Sequence, residues 1–70
     1  MEQEYQKATA DFSKVLVQDP SKKDILLKRG YSFYRLGDTE KAKADWIAAY
    51  NLGDQRATEY LKIYLDTEVP

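Results

Sequence analysis

Apolar residues recur at spacings of three and four along most of this chain, the signature of helices that each bury one face. The first such stretch runs from about Glu2 to Gln18 and aligns Tyr5, Ala8, Phe12, Val15 and Leu16. Asp19-Pro20 ends it, because the residue before a proline is pushed out of the α region. Ser21 is placed to cap a second helix, with Asp24 three positions on as the acid of a capping box. That helix turns Leu26, Leu27, Gly30, Phe33 and Tyr34 to one side, and Gly37 stops it by accepting a left-handed backbone. Asp38 caps a third helix, supported by Glu40 near the positive end of the dipole. Its stripe is Ala42, Trp46, Ala49 and Tyr50. Leu52-Gly53-Asp54 repeats the stop and start, and a fourth helix presents Tyr60, Leu61, Tyr64 and Leu65 before fraying after Asp66 into Thr67–Pro70. Nothing alternates with the period of a strand, and the short connections predict antiparallel neighbours.

The pattern also repeats at long range. Lys7-Ala8-Thr9-Ala10-Asp11-Phe12 returns 34 positions later as Lys41-Ala42-Lys43-Ala44-Asp45-Trp46. A period of that length marks one supersecondary unit stacked on a copy of itself. Gly30 stands mid-helix, where glycine costs about 1 kcal/mol relative to alanine. The expectation is that another backbone or a large ring comes close there, and that Trp46, flanked by Ala42 and Ala49, supplies it.

Composition narrows the chemistry. With 70 residues the chain forms one small domain. It has no cysteine and no histidine, which removes disulfides, thiolate ligands, thiol nucleophiles and the commonest general base. No catalytic site, cofactor or metal is expected. The formal net charge of −1, with acids and bases interspersed, gives no footprint for nucleic acid. No apolar run approaches the ~20 residues that span a bilayer, and the acidic start Met1-Glu2-Gln3-Glu4 is unlike a secretory signal. These features point to a cytoplasmic domain that binds neither nucleic acid nor membrane. Glu2, Glu4, Asp38, Glu40, Glu59 and Asp66 read as caps and solvated surface. Lys7/Asp11, Lys41/Asp45 and Lys62/Asp66 read as surface pairs four apart, worth a few tenths of a kcal/mol.

Taken together, Leu26, Gly30, Phe33, Gly37-Asp38, Ala42, Trp46 and Ala49 stand at the spacings of a tetratricopeptide (TPR) repeat, and the chain resembles that family over nearly its whole length. Arg29 departs from the family's leucine and Asp54 from its closing proline. The resemblance implies an all-α, α-solenoid-type domain of antiparallel helix-turn-helix repeats, with four helices making about one and a half to two units. Residues 1–22 would be the second helix of a preceding unit, 23–56 one full repeat, and 57–70 a C-terminal capping helix in which Tyr64 replaces the family's glycine. It also implies a protein-interaction scaffold. Carried over position by position, its concave groove would offer Asp24, Leu27, Lys28, Tyr31, Tyr34 and Arg35, then Thr58, Leu61, Lys62 and Leu65. Lys28, Lys62 and Arg35 would meet an acidic or carboxylate-bearing protein or peptide, while Tyr31 and Tyr34 would supply rigid contact area. The more ordinary reading is that the lysines solvate their helices and that Leu27, Leu61 and the tyrosines pack on one another. The alternative role is self-association. The stripe of Tyr5, Ala8, Phe12 and Val15 has an intrachain partner on one side alone, and a homodimer or a longer repeat array would cover it.

Overall fold

The structure, a computed structural model, describes residues 2–66. It is all-helical, with α1 Glu2–Gln18, α2 Lys23–Arg35, α3 Thr39–Asn51 and α4 Arg56–Leu65. Each helix packs against the next in chain order. The direction reverses between neighbours, so that Tyr5 in the first turns of α1 meets Tyr31 near the end of α2, ring centroids 6.3 Å apart. The helices α2 and α4 consequently run the same way. Asp24 and Arg56 meet at their starts, and Tyr34 and Tyr64 meet near their ends at 5.0 Å. The fraying expected over Thr67–Pro70 lies outside the described residues.

The same device closes α2 and α3. Gly37 takes φ 82° and Gly53 φ 96°. The amides just beyond them reach back to the last turn, Asp38 N–H to Phe33 O at 2.9 Å and Asp54 N–H to Ala49 O at 3.0 Å. Both are Schellman closures, and glycine is required for the left-handed residue. Asp38 then caps α3, accepting from the Lys41 amide at 3.3 Å. Asp54 accepts from the Arg56 amide at 3.0 Å and starts α4. Asp66, at φ 50°, ends α4 one residue after Leu65.

The start of α2 differs from expectation. Ser21 does not cap it. No side chain does, and the cap position is Lys22. Ser21 instead donates both its amide (3.1 Å) and its hydroxyl (2.6 Å) to Asp19 Oδ1. An aspartate before a proline turn captures the donors two residues on, and that local ring outcompetes the capping box.

Trp46 is the centre of the core. It is fully buried, as are Ala42, Ala49, Ala57 and Leu61, with Leu16, Leu26 and Leu27 closing around them. Its indole Nε1–H donates to the Leu27 carbonyl at 3.1 Å across α2 and α3, so this large ring is buried without an unsatisfied donor. Gly30 lies directly under the ring. A Cβ built at Gly30 would stand 2.7 Å from Trp46 Cδ1, closer than real Cβ contacts allow. Gly30→Ala therefore sets a helix-propensity gain of about 1 kcal/mol against an overpacking cost of about 1–3 kcal/mol. The ring cannot slide away without losing its hydrogen bond, which favours the upper end of that cost. The expected outcome is a net loss of about 1–2 kcal/mol, read as a melting temperature lower by roughly 5–15 °C for a domain of this size.

The polar contacts between helices also depart from the sequence reading. Asp45 does not pair with Lys41. It is buried and takes a two-pronged bond from Arg29, Nε to Oδ2 at 2.8 Å and Nη2 to Oδ1 at 2.6 Å. Arg29 Nη1 also donates to Ser13 Oγ at 3.1 Å, joining α1, α2 and α3 through one side chain. Lys41 is left to Asp38 at 3.6 Å. No Lys7–Asp11 or Lys62–Asp66 pair forms among the described residues. The guanidinium fork matches a carboxylate in two places and a lysine in one, so Arg29 wins the buried acid.

Candidate functional site

An open cavity of about 610 Å³ lies between α1 and α2 and reaches the start of α4. Tyr5, Ala8 and Phe12 form its α1 wall, and Leu27, Lys28 and Tyr31 its α2 floor. The walls follow from helix geometry. Positions 5, 8 and 12 share one face of α1, and positions 27, 28 and 31 share one face of α2.

The two surfaces expected from the sequence, a groove on α2 and a separate self-association face on α1, are thus opposite walls of one space. Four of the groove residues line it, Asp24 at the start of α2 among them. Leu27 is buried at 3% exposure yet borders the floor, Lys28 is exposed with no ion pair among the described residues, and Tyr31 is half-buried. Tyr31 stands edge-on to Tyr5 and to Tyr64, at 6.3 and 5.8 Å.

The remaining groove residues are elsewhere. Leu61 has no exposed surface and belongs to the core under Trp46, because the face of α4 that carries it is the face α3 covers. Tyr34 and Leu65 are half-buried and pack against the core. Tyr34 lies 6.2 Å from Trp46. Arg35 is exposed and places its guanidinium 5.5 Å over the Tyr5 ring, as a lid on aromatic surface. Lys62 is exposed and away from the cavity. Of the self-association residues, Tyr5 and Phe12 are half-buried in the cavity wall, and Val15 is 37% exposed beyond it. The tyrosines therefore do pack on one another. Tyr64, which stands where the family has glycine, lies 5.7 Å from Trp46.

One end of the cavity escaped the sequence reading. Arg56 bonds Asp54 Oδ2 at 2.8 Å and also reaches Asp24 at the start of α2, tying α2 to α4. The signal was available: Asp24 and Arg56 are 32 residues apart, close to one repeat, so the starts of two like-directed helices come together. Arg56 holds the Asp54 carboxyl below the usual aspartate range and is itself pushed up by the two acids. A lowered folded-state pKa means stability that is complete above the unfolded value and is lost as pH falls through the folded one. Asp54 therefore contributes fully above about pH 4 and loses its contribution progressively below it. Asp54→Asn should lower the melting temperature at pH 7 while flattening its fall between about pH 4 and pH 2, a comparison readable by circular dichroism.

Among the described residues no helix is long and apolar enough to cross a membrane, and no group of three acids, cysteines or histidines is placed to hold a metal ion. No family model matches the chain, and neither a curated protein nor a solved structure does.

Proposed function

We propose that this chain is a TPR-like interaction module, an α-solenoid-type domain of about one and a half to two units that binds a protein or peptide in the space between α1 and α2. The observation that carries the reading is the cavity itself. An apolar and aromatic wall on α1 faces a floor on α2 that holds Lys28, which has no ion pair among the described residues. Rigid aromatic surface with a few polar groups suits recognition of a polypeptide. The chemistry is binding rather than catalysis. Serine and threonine are the only hydroxyl nucleophiles besides tyrosine, and no histidine or cysteine accompanies them.

The test is selection of binding peptides from a random displayed library against the folded domain. Lys28→Glu is the informative variant because Lys28 is exposed and makes no contact that the fold needs. Selected peptides should bind it more weakly by about tenfold, the worth of one good charged contact, with the melting temperature unchanged. Peptides that bind parent and variant alike would place recognition elsewhere.

A second reading, self-association through Tyr5, Phe12 and Val15, draws on the 37% exposure of Val15 on that face. Light scattering of the parent and of Phe12→Asp separates the two. A dimer that the variant abolishes supports assembly, and a monomer in both supports the peptide-binding module.

A further inference from the structure

The 34-residue repeat allows α1 and α3 to be compared position by position. Ala42, Asp45, Trp46 and Ala49 on α3 are all buried, at 0, 5, 0 and 0% exposure. Their counterparts on α1 are Ala8, Asp11, Phe12 and Val15. Ala8 and Phe12 are only half-buried, while Asp11 and Val15 are exposed. The difference is one helix. On α3 this face is closed by α2, which sets Gly30 against the Trp46 ring, offers the Leu27 carbonyl to its N–H, and gives Arg29 to Asp45. On α1 the same face borders the cavity at Ala8 and Phe12. Asp11 has neither hydrogen bond nor ion pair among the described residues, whereas Asp45 has a guanidinium.

We infer that the exposed face of α1 docks an amphipathic helix from a partner polypeptide, one that carries an arginine followed by a small residue, seated on α1 as α2 is seated on α3. The inference rests on the reading of the cavity as a polypeptide-binding site and names the partner's chemistry. The small residue is needed because Phe12 occupies the place of Trp46 and a side chain opposite it would collide with the ring. The arginine is needed because Asp11 occupies the place of Asp45. An apolar residue three before the arginine, as Leu26 is to Arg29, would enter beside Ala8 and Val15. A second copy of this chain cannot supply such a helix. In α4 the counterparts of Arg29 and Gly30 are Ile63 and Tyr64, which lack both the charge and the space. The α2 of a second copy has both, but its Arg29 and Gly30 are committed to its own α3.

The probe is a helix-stabilised peptide with this chain's own sequence from Ser21 to Asp38, titrated against the intact protein. Saturable binding is expected. Placing Arg29→Glu in the peptide should weaken it by at least about tenfold, and Asp11→Arg in the protein should restore the altered peptide while weakening the original. Gly30→Leu in the peptide should abolish binding. Trp46 emission should stay constant throughout, because the peptide occupies α1 and does not displace α2. Absence of binding up to about 1 mM peptide, affinities indifferent to the charge exchange, or a change in Trp46 emission would each overturn the inference. The broader reading fails separately: if library peptides bind and respond to Lys28→Glu while this helix does not bind, the module stands and only the identity of its partner is wrong.

Discussion

Trp46→Ala is expected to leave much of the protein unfolded at 25 °C. The substitution empties the largest fully buried side-chain volume and deletes the bond from the indole to the Leu27 carbonyl. Large-to-small changes at such sites cost about 3–5 kcal/mol. A chain of this length has about 3.5–10 kcal/mol of stability in total, so the loss takes roughly three tenths of it at least. Collapse around the hole is limited because Gly30 opposite offers no side chain to fill it. Far-ultraviolet circular dichroism against urea should show a midpoint shifted to far lower concentration, or no folded baseline. A variant that melts with the parent would mean that the ring contributes little to the packing of α2 on α3.

Arg29→Ala should come second, at about 3 kcal/mol, the scale for breaking a buried ion pair from one side. The two partners are not equivalent. The Asp45 side chain is 7% exposed and that of Arg29 is 23%. Removing the arginine strands a carboxylate that water cannot reach. Removing the aspartate leaves a guanidinium that can turn partly to solvent and still bond Ser13. Asp45→Ala should therefore cost less than Arg29→Ala. Ser13 is satisfied in either case, because its hydroxyl also donates to the Thr9 carbonyl at 2.7 Å. The double variant Arg29→Met with Asp45→Leu should recover to within about 1 kcal/mol of the parent, since a packed apolar pair replaces a desolvated ionic one. Urea denaturation of the four proteins makes the comparison.

The helices and their glycine stops were legible because they depend on local chemistry. A residue at φ 82° or 96° must be glycine at little cost, and Gly37 and Gly53 announce themselves. The contact of Gly30 with Trp46 was legible for the opposite reason. A mid-helix glycine is unfavourable unless something needs the room, and only one ring in the repeat is large enough to need it. Asp45 was misread because Lys41, four residues before it, offers a local partner. The actual partner is 16 residues away on α2, and only the packing of α2 on α3 brings it within reach. Ser21 was misread because two local motifs competed for the same donors. At the candidate site, spacing aligned Tyr5, Ala8 and Phe12 on one face of α1, and the resemblance grouped Leu27, Lys28 and Tyr31 on α2. Neither could show that the two faces look at each other. Leu61 was assigned to the groove by analogy with Leu27, although helix rotation decides which side of a leucine meets the tryptophan.

Each helix touches its chain neighbours, and the side-chain hydrogen bonds between neighbouring helices close loops of fewer than 20 residues, as from Leu27 to Trp46. Interior helices α2 and α3 are clamped from both sides, whereas α1 and α4 are each held mainly by one neighbour. Loss of structure should then travel inward from the ends. Amide protons of α2 and α3 should exchange with solvent deuterium last, those of α1 and α4 sooner, and refolding from urea should finish within microseconds to milliseconds, as for other topologies of such short reach.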